Sequence, residues 1–170
     1  MSKAFTREDD ALPEQPEQAE RISTLPQGAR NYLAPAGATR LRTKLEVLQS
    51  ECSRLTSASE PEAKRQLLML NRQIEELLLS LQTAEVVPAP NEPHDRVRFG
   101  ATVTVRERNG DETNYRIIGA DEIDLDRGWV SWMSPIAKAL LNARLGQRVR
   151  FKFPAGETEL EVMRITYEDE

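Results

Sequence analysis

The sequence predicts an α+β protein in which an antiparallel coiled-coil hairpin precedes a compact β-rich domain carrying one short helix. Three observations support that expectation. Two apolar seams with heptad spacing lie within residues 38–84, a proline-rich stretch follows the second seam, and beyond it the apolar residues alternate. Seams at helical spacing bury one stripe of a helix, whereas alternation buries one face of a strand.

The first segment, residues 1–30, is polar, proline-containing and acidic in MSKAFTREDDALPEQPEQAE. So little apolar surface cannot offset the entropy of ordering, which predicts a disordered acidic tail. It has no apolar core of the kind a secretory leader needs.

Residues 31–87 hold the hairpin. Ala38, Leu41, Leu45, Leu48, Cys52 and Leu55 step by three and four in alternation, with Arg40, Arg42, Lys44, Glu46, Gln49 and Glu51 between them. That is one buried seam and one wet face, and Pro35 suits the first turn, where its missing N–H costs nothing. In TSASEPEA, Ser57 and Ser59 compete with the helical backbone and Pro61 cannot continue the helix, so a second helix starts at Ser59 or Glu60. Leu67, Leu70, Ile74, Leu77, Leu81 and Ala84 repeat the first spacing, and the short turn makes the two helices antiparallel neighbours. Leu68, Met69, Leu78 and Leu79 fall off the seam. They predict a second contact, made either by the following domain or by a partner protein. Cys52, on the seam, is expected to be a small core residue.

The prolines of VVPAPNEPHD make a stiff linker over residues 88–95. In residues 96–170, VRFGATVTVRE alternates, Asn109-Gly110-Asp111 is a hairpin signal, and ETNYRIIG is the returning strand. ADEIDLDRG is expected to be a solvated acidic loop and WVSWM a strand. Ser134 and Pro135 read as N-cap and N1 of a helix through PIAKALLNAR, with Gly146 near its end. QRVRFKFPAG and ETELEVMRITYE form the last strand pair.

Composition narrows function. A net charge of −5 argues against free binding to duplex DNA, because phosphate contacts demand clustered Lys and Arg. One cysteine and one histidine leave no material for an intramolecular disulfide or a Cys/His metal cluster. No run of about 18 apolar residues predicts a membrane span, so the expected compartment is the cytoplasm.

YRIIGADEIDLDRGWVSWMSPIAKALL, followed by LGQRV and PAGETELEV, resembles the C-terminal domain of the GreA/GreB transcription elongation factors over about residues 96–168. NYLAPAGATRLRTKLEVL resembles the opening of that family's coiled coil. The resemblance implies an FKBP-like C-terminal domain that grips the rim of the secondary channel of RNA polymerase, and a hairpin that enters the channel. It implies a monomer that binds core polymerase and meets nucleic acid only through it, with no membrane association. The resemblance implies no enzyme activity and no cofactor of its own, apart from a Mg²⁺ shared with the polymerase. In the family, carboxylates at the hairpin tip help hold that ion for cleavage of backtracked transcripts, a task suited to oxygen ligands.

This chain departs from the family pattern at the tip. The string D-x-x-E-N-A-x-Y is absent, and the hairpin is shorter by roughly one heptad per arm, on the order of 10 Å of reach. Glu60 and Glu62 are the tip candidates, with Glu51 further down. Carboxylates there also favour a helix N-terminus for purely structural reasons. The expectation is therefore weak cleavage stimulation or none, with a channel-occupying antagonist of Gre factors as the companion reading. The candidate polymerase contacts are Ile123, Asp124, Trp132, Ser134, Pro135 and Ile136. Of these, Ser134, Pro135 and Ile136 are expected to be partly exposed while Ala137, Leu140 and Leu141 face the core. Trp129 and Trp132 are expected on opposite faces, the outward one an interface anchor. Met133 stands where some relatives have a polar residue. A prolyl isomerase is a rival reading, but it would need an aromatic-lined pocket from Phe99, Tyr115, Trp129, Trp132, Phe151, Phe153 and Tyr167. A plain coiled-coil adaptor is another.

Overall fold

A computed structural model describes residues 25, 26, 28–57, 60–91, 95–154 and 156–167. Two long helices lead the chain, α1 (Pro35–Leu55) and α2 (Pro61–Thr83). At about 1.5 Å per residue they are roughly 32 and 35 Å long. The predicted seams are the buried ones: Ala38, Leu41, Leu48 and Leu70 are buried, Leu45, Leu55, Leu67, Ile74, Leu77 and Leu81 are half-buried, and Ala63, one step before the second seam, is buried as well. The Cys52 thiol meets the Asn71 carboxamide oxygen across the seam at 3.3 Å. Each helix alone would be marginal, and zipping them buries both stripes.

The root of the hairpin holds a pairing that the periodicity does not announce. β1 (Asn31–Leu33) and β2 (Ala84–Val86) run parallel, with Leu33 opposite Val86, and Val87 N–H continues the ladder to the Leu33 carbonyl at 2.9 Å. Three-residue strands are too short to show alternation. Leu33, fully buried, forms a small core here with Ala38 and Leu41, flanked by Leu77, Leu81 and Ala84.

The second body is a mixed five-stranded sheet of β3 (Thr102–Glu107), β4 (Glu112–Ile118), β5 (Trp129–Ser131), β6 (Arg148–Phe153) and β7 (Gly156–Thr166), in the order β5-β4-β3-β7-β6. Only the β4–β5 pair is parallel. Val103 and Val105 on β3, Ile117 on β4 and Val162 on β7 are fully buried. Each contributes about 1.5–3 kcal/mol of burial. The helix α3 (Pro135–Leu140) adds Ile136, Ala137 and Leu140 to that core.

The Asn109-Gly110 turn forms as predicted. Gly110 takes φ +91°, and Asn109 Oδ1 accepts from Asp111 N–H at 3.0 Å. The expected helix through Arg144 stops at Leu140, because Asn142 enters the left-handed region at φ 67° and its N–H turns to the Val97 carbonyl. The strand expected through WVSWM ends at Ser131.

Candidate functional site

The tip of the hairpin is a helix end and a helix start. Thr56 closes α1 by donating its N–H and its hydroxyl to the Cys52 carbonyl, at 3.1 and 2.9 Å. Glu60 is the N-cap of α2 with extended backbone and no side-chain capping bond, Pro61 follows it, and Glu62 lies in the first turn. Both carboxylates are exposed. Lys64 and Arg65 stand one turn on, at spacings that share a helix face with Glu60 and Glu62. Among the described residues, no three His, Cys, Asp or Glu side chains come together as a metal site.

At the other end, Ser134 caps α3, its Oγ accepting from Ala137 N–H at 3.2 Å. Pro135 is exposed beside it. Ile136, expected to be partly exposed, is only 8% exposed and belongs to the sheet core, because in a six-residue helix the second position already faces the sheet. Leu141, half-buried, packs against the same core. Asp124 caps the single turn Leu125–Arg127, accepting from Arg127 N–H at 3.3 Å and pairing with its guanidinium at 3.4 Å.

The two tryptophans are both half-buried. Trp132 packs on the sheet core and meets Tyr32 of β1 edge-on, with ring centroids 5.1 Å apart. Trp129 is ringed by the guanidinium groups of Arg40, Arg116 and Arg127 at 4.9, 4.9 and 5.2 Å from its centroid. Neither is a bare outward anchor. Tyr115, Trp132, Phe151 and Tyr167 all pack against the core, so these aromatics are committed to packing rather than free to line a proline pocket.

The acidic loop is where the structure most clearly corrects the sequence reading. It is expected to be solvated, yet Glu122 has a side chain only 2% exposed. Its Oε2 accepts from Ala34 N–H at 3.0 Å and Gly119 N–H at 3.2 Å, and its Oε1 accepts from Arg40 Nη2 at 3.1 Å. Asp121 accepts from the hydroxyl of Ser80 in the last turns of α2 and, at 3.5 Å, from the Asn31 carboxamide. A buried carboxylate is tolerable only when paired and hydrogen-bonded, and here the hairpin root supplies the partners.

One sign of this contact was present in the sequence. Gly37 falls in the first turn of α1, where glycine costs about 1 kcal/mol against alanine, and the turn carries no acid and no capping side chain. Gly37 leaves room there for the Glu122 carboxylate.

The surplus apolar residues of α2 stay open. Leu68, Met69 and Leu79 are 74%, 66% and 59% exposed, so the following domain does not cover them. Met69 and Leu79 line a groove of 860 Å³ beside the hairpin, together with Leu25, Leu41, Asp121 and Ile123.

Known proteins resemble this chain over most of its length. The family model "Transcription elongation factor, GreA/GreB, C-term" matches residues 92–167. A transcription elongation factor GreB from Neisseria meningitidis is 33% identical over 154 residues, spanning 81% of this chain and 94% of that protein. A GreA from Pelobacter propionicus is 39% identical over 107 residues, spanning 62% of this chain and 68% of that one. A solved structure, the GreA factor homolog 1 (Gfh1) of Thermus thermophilus, is 22% identical, covering 81% of this chain and 99% of its own at a TM-score of 0.40.

Proposed function

Because the chain belongs to the GreA/GreB family of transcription elongation factors, we propose that it docks on core RNA polymerase through its sheet domain, lays its hairpin in the secondary channel, and regulates elongation without driving transcript cleavage. In this reading residues 31–87 are the finger, 88–95 the linker and 96–170 an FKBP-like docking domain. Proteins of this family act on the polymerase rather than as enzymes themselves. No helix among the described residues is long and apolar enough to cross a membrane.

The tip is the observation that carries the non-cleaving reading. Where the family resemblance calls for a D-x-x-E-N-A-x-Y string, this chain turns through Thr56 and Glu60-Pro61-Glu62. Carboxylate oxygens suit Mg²⁺ in kind. These two, however, sit at a helix start, which they favour electrostatically, with Lys64 and Arg65 beside them. A metal contact needs about 2.1 Å, and a finger shorter by about a heptad falls on the order of 10 Å short. The docking contacts in this reading are Ile123, Asp124, Trp132, Ser134 and Pro135, while Ile136 is buried in the sheet core. Leu68, Met69 and Leu79 are free to meet a channel wall.

The test adds the protein to backtracked elongation complexes. The expected result is binding to core polymerase, lost on deletion of residues 96–170, with the intrinsic cleavage rate unchanged and an active Gre factor displaced. Strong cleavage that Glu60→Ala with Glu62→Ala abolishes would overturn the non-cleaving reading. No affinity for core polymerase would overturn the docking reading altogether.

A further inference from the structure

We propose that Asp121 and Glu122 form a latch that sets the angle at which the hairpin leaves the sheet domain, one carboxylate holding each arm. Glu122 takes the first arm. The α1 helix begins with Ala34 as N-cap, without a side-chain cap and without an acid in its first turn, so its N-terminal dipole is not answered from within. The sheet domain answers it: Glu122 accepts the Ala34 N–H and, from nearly two turns further on, the Arg40 guanidinium. Asp121 takes the second arm through the Ser80 hydroxyl, and Asn31 ties the two together by donating to both the Ser80 carbonyl and Asp121.

The packing admits little play. A Cβ on Gly37 would stand 1.7 Å from Glu122 Oε1, and a Cβ on Gly119 would stand 2.1 Å from the Tyr32 carbonyl oxygen. Arg40 also lies against the Trp129 ring, which joins the latch to β5. The finger is a lever. With an arm of about 32 Å, a swing of roughly 10° at the root carries the tip about 5 Å. Small changes at Asp121 and Glu122 are therefore large changes at Glu60. Both are positioning residues, and neither need touch polymerase. The functional consequence rests on the channel reading above, whereas the angular control does not.

The test is a distance measurement on the full chain. Spin labels on Ser57→Cys and Lys138→Cys, in a Cys52→Ser background, report tip against sheet domain by pulsed electron resonance. The parent should give one narrow distribution. Glu122→Ala and Gly37→Ala should broaden it or shift it by about 5 Å or more, with far-UV circular dichroism unchanged, and the conservative Glu122→Gln should fall between. Gly37→Ala covers the case in which Glu122→Ala fails to fold. Parent-like distributions in folded Gly37→Ala and Glu122→Ala would overturn the latch. Broadened distributions in a protein that does not bind core polymerase would uphold the latch and sink only the channel reading.

Discussion

Tyr32 and Trp132 meet edge-on with centroids 5.1 Å apart, one ring from the hairpin root and the other from the end of β5. Phe99 completes the contact at 5.8 Å from Tyr32. Hairpin and sheet are thus joined by an aromatic contact as well as by the carboxylates of the acidic loop. Such a pair adds about 0.5–1.5 kcal/mol beyond the area it buries. Tyr32→Ala is expected to lower unfolding free energy by about 1–3 kcal/mol once lost burial is included. Denaturant titration followed by tryptophan fluorescence checks this, since Trp132 loses a neighbour. An unchanged midpoint would mean that the ring contact contributes nothing to holding the hairpin root.

The seam makes a paired prediction. Leu70 is 8% exposed and Leu68, two residues away, is 74% exposed. Leu70→Ala should cost about 2–5 kcal/mol through lost burial and the cavity left behind, and Leu68→Ala should stay within about 0.5 kcal/mol. Thermal melts followed at a helical wavelength separate the two, and equal effects would contradict the packing of α2 on α1.

Acid should act through Glu159. Its carboxyl is held below the ordinary range, first by the hydrogen bond from Arg108 at 2.9 Å, then by the charges of Arg108, Arg148 and Arg150, against a partial opposing effect of burial. A depressed folded-state pKa stabilises the fold above the unfolded pKa, and that contribution disappears as pH falls through the folded value. Glu159→Gln should therefore be less stable than the parent near neutrality, with the gap closing in acid. Unfolding curves at several pH values check it. Because the pair is solvent-facing, added salt should shrink the gap as well.

Alkali should act through Tyr167. Burial raises the pKa of its phenol above the ordinary range, while the Arg98 N–H donating to it at 3.0 Å pulls the other way. Its hydroxyl donates to the Arg96 carbonyl at 3.2 Å. A raised folded-state pKa means full stabilisation below the unfolded pKa, lost as pH rises through the folded value. Tyr167→Phe should cost about 1–3 kcal/mol near neutrality for the two lost hydrogen bonds and then show a shallower alkaline decline than the parent. A parallel decline in both proteins would remove Tyr167 as the responsible group.

The local elements were legible from the chain alone because their signals are local. Heptad spacing places Leu41 and Leu48 in one seam and Leu70 in the other, all three buried, Asn109-Gly110 closes a hairpin, and Ser134-Pro135 opens α3, each within a few residues of the feature that causes it. The seam did not say what covers Leu68, Met69 and Leu79, which remain exposed. Asp121 and Glu122 lie some forty to ninety residues from Ser80, Ala34 and Arg40, and nothing in the run DEID distinguishes a wet loop from a buried clamp. That distinction depends on which backbone N–H groups and cations fold back to meet the carboxylates, since a carboxylate without them stays in water. Pairing of β1 with β2 and the parallel placement of β5 beside β4 are likewise contacts that three-residue strands (β1, β2 and β5) do not announce in sequence. Heptads, turns and caps were decided by neighbours in sequence. The joint between finger and sheet was decided by desolvation and hydrogen bonding between distant segments, which only the folded chain brings together.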